Sequence, residues 1–206
     1  ASSASAAVGG SEPQVQKRSE ADAEALSPAD LTEKLCNAVR GGKVADIKAM
    51  LHAEVRDAID FCTGPEETAL LQASHLGHVE AVKFLVEAGA EVNAKESDGG
   101  TALMDASCYG QAESVKFLVE AGAEVNAKDG RERLTSLMYA SSYGHVEAVK
   151  ALVEAGAEVN AKRSDGKTSL MFASYHGEME AMKFLIQAGA EVNALNKQRW
   201  EHGFDA

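Results

Sequence analysis

An eight-residue sequence, Glu-Ala-Gly-Ala-Glu-Val-Asn-Ala, recurs along the chain and constrains its fold more than any other feature. It occupies residues 87–94, 120–127 and 154–161, and it returns at residues 187–194 with Gln187 as its first residue. Successive copies are separated by 33, 34 and 33 residues. A period of this size, kept over four copies, predicts an elongated solenoid whose units bury their apolar surfaces against one another.

A second motif opens every unit of the array, with the pattern Thr-(Ala/Ser)-Leu-(Leu/Met)-x-Ala-Ser. Its four copies begin at Thr68, Thr101, Thr135 and Thr168. Because Thr is a favourable N-cap, each copy predicts the start of a helix. A glycine then ends this first helix, at Gly77, Gly110, Gly144 and Gly177. Apolar residues at helical spacing follow each glycine and predict a second helix.

The segments that flank the array differ from it in composition. Residues 1–27 are rich in Ala, Ser and Gly, and we expect a flexible N-terminal tail because they offer little apolar surface to bury. Residues 28–67 are predicted to form a helical capping repeat followed by an irregular loop, since Pro28 is typical of a helix start. Residues 195–206 are assigned to a C-terminal tail. The four repeats between them are assigned to residues 68–100, 101–134, 135–167 and 168–194.

The repeated unit resembles the ankyrin repeat. That family has the pattern Thr-Pro-Leu-His-x-Ala-Ala-x-x-Gly-His, then a Val/Leu helix and Gly-Ala-x-x-Asn-Ala, and all four units match it in register. The resemblance implies an all-α solenoid of stacked helix-turn-helix units joined by β-hairpin loops. The family Pro is replaced here by Ala or Ser, and the family His is replaced by Leu71, Met104, Met138 and Met171. We expect this Met/Leu ladder to hold neighbouring units together by packing.

Charge and composition argue against several classes of partner. The chain has 20 Lys plus Arg against 32 Asp plus Glu, a net charge of −12, which disfavours nucleic acid or an anionic membrane as the main partner. No apolar run approaches the ~18 residues that a membrane-spanning helix needs. The three cysteines, Cys36, Cys62 and Cys108, follow no CxxC spacing and are interpreted as thiols in a reducing compartment. We therefore expect an intracellular protein, in the cytoplasm or, if Ala1 follows removal of a transit peptide, in a plastid or mitochondrion.

The sequence contains no constellation that predicts an enzyme, a cofactor site or a metal site. Gly166-Lys167-Thr168 ends like a phosphate-binding loop, but Ala161 stands where that loop requires Gly, so we interpret it as a hairpin Gly followed by an N-cap. His75 and His78 are three residues apart, yet no Cys or carboxylate joins them at ligand spacing. Cys108 has no base at a matching position to activate a thiolate.

The aromatic residues of the first helices predict a binding function. All four tyrosines fall at variable positions of these helices, and Phe172 joins them. The tyrosines are Tyr109, Tyr139, Tyr143 and Tyr175. Tyr is favoured at protein interfaces for its large contact area, polar tip and low ordering cost. The resemblance to ankyrin repeats implies that first helices and hairpins line a concave groove that binds partners. In the alternative interpretation, Tyr143 and Tyr175 only cover neighbouring turns.

Charged residues complete the predicted partner-binding site. Basic residues of the loops, with Arg163 among them, lie at one end of the groove and acidic residues nearer its start, which predicts a groove graded from acidic to basic. The predicted site is Asp98, Asp105, Tyr109, Arg131, Arg133, Tyr139, Tyr143, Lys167, Phe172, Tyr175 and His176. In the C-terminal tail, Trp200 and Phe204 either fold back on the last unit or anchor a partner.

These observations together predict a non-catalytic scaffold that binds a partner protein through its concave groove. The alternative is a structural accessory subunit of a large multiprotein assembly, organellar assemblies included, with its tails docked on neighbouring subunits. In the first case we expect a monomer, and in the second a subunit of a hetero-complex.

Overall fold

The computed structural model describes residues 28–52, residue 59 and residues 68–193. Within these residues, ten helices follow one another as five consecutive pairs. The pairs are α1 (Pro28–Arg40) with α2 (Val44–His52), α3 (Ala69–Leu76) with α4 (Val79–Glu87), α5 (Ala102–Cys108) with α6 (Ala112–Glu120), α7 (Ser136–Ser142) with α8 (Val146–Glu154), and α9 (Ser169–His176) with α10 (Met179–Gln187).

The helices form two parallel rows. The first helices of the pairs, α1, α3, α5, α7 and α9, pack side by side in chain order, and the second helices, α2, α4, α6, α8 and α10, do the same. The two helices of each pair also pack against each other. This arrangement confirms the predicted all-α solenoid of helix-turn-helix units.

The first helices begin at the threonines that the repeat motif singles out. The hydroxyls of Thr68, Thr101 and Thr135 each accept a hydrogen bond from the backbone N–H three residues later, at 3.3 to 3.4 Å. A cap of this kind stabilises a helix by about 1 kcal/mol. Thr168 has the same extended backbone but accepts no such bond, so the prediction of a side-chain cap is wrong for the last unit.

The turn between the two helices of a unit requires glycine. Gly77, Gly110, Gly144 and Gly177 have φ values between 68° and 77°, in the left-handed region. A residue with a Cβ is strained in that conformation. The glycines therefore set where each first helix ends and how its partner helix turns back.

The core lies between the two rows of helices and runs the length of the array. Its largest fully buried side chains are Leu35, Ile47, Leu70, Leu71, Leu85, Leu103, Leu118, Leu137, Met138, Leu152, Leu185 and Val39. The Met/Leu ladder belongs to this core, since Leu71, Met104 and Met138 are at most 2% exposed and Met171 is 8% exposed. Apolar side chains packed in the core thus stand where the family carries hydrogen-bonding histidines.

The loops between units are closed by hydrogen bonds, and the described residues contain no strand. One antiparallel bridge joins Lys95 to Thr101. In the last loop, the Arg163 N–H donates to the Lys167 carbonyl oxygen at 2.9 Å. The predicted hairpins are therefore short, with a single pair of residues closing the turn.

Asparagine side chains tie each loop to the next unit. The amide of Asn93 donates to the Gly122 carbonyl oxygen at 3.2 Å, and its Oδ1 accepts the Glu124 N–H at 2.8 Å. Asn126 and Asn160 repeat this pair of bonds one and two units further along. These bonds fix the spacing of neighbouring units on the side of the solenoid away from the turn glycines.

Candidate partner-binding site

The residue immediately before each turn glycine is exposed in all four repeats. These residues are Leu76, Tyr109, Tyr143 and His176, and we call them the pre-glycine row. Tyr109 is 48% exposed and Tyr143 is 56% exposed. Because the first helices pack side by side, the row forms one surface that runs across four units.

Histidines of the same or a neighbouring unit contact the tyrosine rings of this row. The ring of Tyr109 lies 4.0 Å from that of His75, centroid to centroid. Tyr143 is stacked at 6.1 Å from His145 and at 6.5 Å from His176, with interplanar angles below 30°. Rings already held in place lose little side-chain entropy when a partner covers them.

A cavity of about 540 Å³ opens beside the row in the last unit. It is lined by Arg163, Lys167, Met171, Phe172, Ser174, Tyr175 and His176. Tyr175 is 86% exposed and meets the His176 ring edge to face at 5.0 Å. Four of the predicted site residues, Lys167, Phe172, Tyr175 and His176, therefore meet at one place.

Tyr139 has a structural partner that the sequence did not indicate. Its hydroxyl donates to Asp129 Oδ2 at 2.9 Å, and Asp129 Oδ1 accepts the N–H groups of Glu132 and Leu134 at 2.9 and 3.1 Å. Burial, followed by this hydrogen bond and the charge of Asp129, raises the pKa of Tyr139 well above its ordinary value. Tyr139 thus supports the loop before α7, unlike the exposed rings of the pre-glycine row.

Three basic residues of the loops, Arg131, Arg163 and Lys167, are paired with carboxylates. Arg131 Nε lies 3.6 Å from Asp98 Oδ2, which joins the loops of two successive units. The backbone joins the same loops, because the Gly130 N–H donates to the Asp98 carbonyl oxygen at 2.7 Å. Two predicted site residues of opposite charge, Asp98 and Arg131, thus neutralise each other.

The last loop repeats this pairing around Arg163. Its Nη1 lies 2.5 Å from Glu132 Oε2 and its Nε lies 3.2 Å from Asp165 Oδ1, while Lys167 Nζ lies 3.1 Å from Asp165 Oδ2. Arg163 also lies over the ring of Phe172, 5.6 Å from its centroid. Each of these cations faces a carboxylate, and the predicted gradient from acidic to basic stays a prediction.

The two remaining predicted site residues, Asp105 and Arg133, lie outside both the cavity and the pre-glycine row. Asp105 is half-buried in α5. Burial of the nearby Cys108 thiol raises its pKa, and the charge of Asp105 raises it further. A hydrogen bond from Tyr143 acts in the opposite direction and lowers that pKa. Arg133 is exposed in the loop before α7 and has a left-handed backbone, with a φ of 61°. A raised thiol pKa disfavours the thiolate, so Cys108 is poorly placed to act as a nucleophile.

Comparison with known protein families decides the identity of the repeated unit. A family model described as ankyrin repeats, three copies long, matches residues 35–129 and again residues 130–196. The chain belongs to the ankyrin-repeat family. Ankyrin repeats generally mediate protein–protein interaction. The chain is therefore a repeat protein of a protein-binding class.

The described part of this ankyrin-repeat protein contains neither a membrane-spanning helix nor a metal-binding cluster. Over the described ranges, no helix combines the length and the apolar character needed to cross a membrane. Searching the same part of the chain finds no group of three His, Cys, Asp or Glu side chains placed to hold a metal ion. Trp200 and Phe204 lie outside the described residues, as does the tail of residues 1–27, so the functions predicted for both tails stay predictions.

Three residues that bear on this ankyrin-repeat site were not predicted from the sequence. Leu76 and His75 belong to it because the repeat register aligns Leu76 with Tyr109 and Tyr143, a signal that was readable from the sequence. Arg163, which was predicted at the basic end of the groove, lines the cavity. Asp129 holds Tyr139, and no spacing rule predicts a contact between a loop and a helix of that kind.

Proposed function

We propose that this ankyrin-repeat protein is a non-catalytic scaffold that binds a partner protein through the face formed by its first helices and loops. The observation that carries the proposal is the pre-glycine row, in which exposed side chains occupy the same position of four successive units. Contiguous exposed aromatic surface is uncommon on proteins that act alone, and covering it releases ordered water.

The contacts of the row support a binding role rather than a role in stability. Tyr109 and Tyr143 keep about half of their surface exposed while histidines orient their rings. Tyr residues of this kind supply large contact area at interfaces, with a hydroxyl that hydrogen-bonds at the rim. In contrast, Tyr139 has its hydroxyl engaged by Asp129 and offers less to a partner.

The cavity beside the row indicates where the partner is anchored. Its volume of about 540 Å³ accommodates a bulky apolar side chain, with Met171 and Phe172 on its wall. Arg163 and Lys167 stand at its loop side. Lys167 is paired with Asp165 in an exposed contact that is individually weak, whereas Arg163 is half-buried. A carboxylate of the partner is therefore able to exchange with Asp165 at small cost.

The experiment compares two double variants as baits. Tyr109→Ala with Tyr143→Ala removes the exposed rings, while Glu120→Ala with Glu154→Ala removes two exposed side chains from the second helices of the same units. Proteins captured by the wild-type chain are quantified by mass spectrometry, and each is then tested by direct titration with the purified chain. We expect the tyrosine variant to weaken binding at least tenfold and the glutamate variant to bind as the wild type does. Equal binding by all three chains would refute this surface.

We also propose that the protein acts inside the cell. The described cysteines, Cys36 and Cys108, are thiols in separate units, one buried and one half-buried, and neither forms a disulfide. Thiols of this kind are typical of a reducing compartment. Fractionation of cells that express the tagged chain checks the proposal, and recovery mainly from the medium would contradict it.

A further inference from the structure

The solenoid exposes apolar side chains at its C-terminal end. A cavity of about 130 Å³ there is lined by Leu170, Met171, Ser174, Met182, Ile186, Glu191 and Val192. Ile186 and Val192 are exposed, as is Met179 on the same helix pair. We call the surface formed by the seven lining residues the end face.

Equivalent positions in the earlier units are covered by the unit that follows. Ser74, Ser107 and Ser141 are fully buried, whereas Ser174 is exposed. In the three earlier repeats, the residue equivalent to Ile186 is a half-buried valine: Val86, Val119 and Val153. The residue equivalent to Val192 is also a half-buried valine: Val92, Val125 and Val159. The end face is thus the stacking surface of an ordinary unit, and a further unit is what its shape and apolarity fit.

The sequence after Asn193 can be aligned with the repeat by spacing, although Glu201 and Gly203 replace the Thr and Leu of the motif. Asn160 precedes the helix-starting Thr168 by eight residues, and Asn193 precedes Glu201 by the same number. One period of 33 residues beyond Met171 is Phe204. An aromatic residue therefore falls on the next position of the buried Met/Leu ladder, and Met171, the last ladder residue described, lines the end-face cavity.

We propose that residues 194–206 stack on the end face as a partial fifth unit, with Phe204 packed against Met171. The ring extends the ladder by one position and covers the cavity that Met182 and Val192 share with Met171. Burying a Phe side chain removes a large apolar surface from water, which favours holding a short segment against a preformed surface.

Charge favours this segment over a second copy of the chain. Glu191 lines the end-face cavity, so two end faces in contact would bring like charges together in a chain whose net charge is already −12. The segment after Asn193 instead carries Lys197 and Arg199 close to that glutamate in the sequence. The end face is therefore better matched by its own following residues.

The test uses the full chain with isotopically labelled methionine methyl groups. Phe204→Leu keeps an apolar side chain but removes the aromatic ring, and His202→Ala is the control in the same segment. We expect the Met171 methyl resonance to shift in Phe204→Leu and to stay in place in His202→Ala, while the Met104 resonance is unchanged in both. Hydrogen exchange in residues 169–187 is expected to accelerate several-fold in a second variant, Phe204→Asp.

Two results would overturn the proposal. The first is an unchanged Met171 resonance in Phe204→Leu together with unchanged exchange in Phe204→Asp, which would leave the end face uncovered by this segment. The second is a shift that appears only as protein concentration rises, together with a dimer in light scattering, which would assign the end face to a second copy. Neither result bears on the pre-glycine row, so the proposed function is tested separately.

Discussion

The imidazole of His145 lies over the turn glycine of the preceding unit, Gly110. Its Nε2 is 3.0 Å from the carbonyl oxygen of Cys108, and a Cβ on Gly110 would lie 2.5 Å from its Nδ1. Gln111 lies against Gly77 in the same way, and Glu178 lies against Gly144. The residue that precedes α6, α8 or α10 thus fills the space beside the turn glycine of the unit before.

This contact predicts unequal costs for one substitution at two equivalent glycines. Gly110→Ala places a Cβ in a left-handed backbone and against His145. Gly177 has a φ of 77°, and no atom of the described residues lies within 4 Å of the added Cβ. We expect Gly177→Ala to lower the free energy of unfolding by about 1–2 kcal/mol, the cost of the conformation alone. Gly110→Ala is expected to cost about 1–3 kcal/mol more, because it also overpacks the contact.

Chemical denaturation of the two glycine variants and the wild-type chain measures the difference. Equal losses of unfolding free energy would show that His145 yields without cost and that the contact between units is loose. Truncating His145 to Ala in the Gly110→Ala background is the control, since it should restore part of the lost stability by removing the obstacle.

The hydrogen bond of Tyr139 to Asp129 predicts that removing the hydroxyl lowers the free energy of unfolding more at Tyr139 than at Tyr143. Tyr139→Phe removes a bond to a buried charged group, which typically contributes about 1.5–3 kcal/mol. Tyr143→Phe changes an exposed residue and is expected to cost less than about 0.5 kcal/mol. Thermal and denaturant melts of the two variants test this, and equal stabilities would contradict the structural role assigned to Tyr139.

The raised pKa of Tyr139 predicts a loss of stability at high pH. Burial, the hydrogen bond to Asp129 and the charge of Asp129 favour the protonated phenol in the folded state. Its contribution is therefore fully present below the ordinary pKa of about 10 and is lost as the pH rises above that value. We expect the unfolding free energy of the wild-type chain to fall more steeply above about pH 10 than that of Tyr139→Phe, as measured by denaturation in urea. Parallel curves would show that this phenol does not contribute.

The asparagine bonds between units predict that a central asparagine is needed for cooperative unfolding. Asn126→Ala removes a donor to the Gly156 carbonyl oxygen and an acceptor of the Glu158 N–H. Two such bonds together contribute about 1–3 kcal/mol, and their loss weakens the coupling between the units that they join. We expect a lower and broader melting transition, monitored by circular dichroism.

A companion variant separates the two asparagine bonds. Asn126→Asp keeps an acceptor for the Glu158 N–H but sets a carboxylate against the Gly156 carbonyl oxygen. It should be at least as unstable as Asn126→Ala if the donor bond matters. A stability equal to that of the wild type would assign the coupling to packing alone.

Most of the architecture could be predicted from the sequence, because its determinants are local and repeated. Thr101 caps α5 and Gly110 ends it, and both effects act within a few residues of chain. The 33-residue period then places equivalent apolar residues against one another. The missing cap at Thr168 departs from this rule even though the motif is the same.

The candidate site was only partly predictable, because its chemistry depends on contacts between units. Arg131 and Asp98 were both predicted as binding residues, but they come from different loops and pair with each other. Arg163 was assigned to a loop, yet it reaches Glu132 of the preceding unit and the face of Phe172. No spacing within one repeat indicates such pairings.

The helices, the turns and the order in which units stack follow from the residues along the chain, because propensity, capping and periodicity are local. Which side chains remain exposed depends on the three-dimensional fold. Tyr139 and Tyr143 are the same residue type in consecutive turns of one unit, yet one is held by a buried aspartate and the other is left on the surface. The difference arises because burial depends on the folded loop and on the neighbouring unit, which the local sequence does not contain.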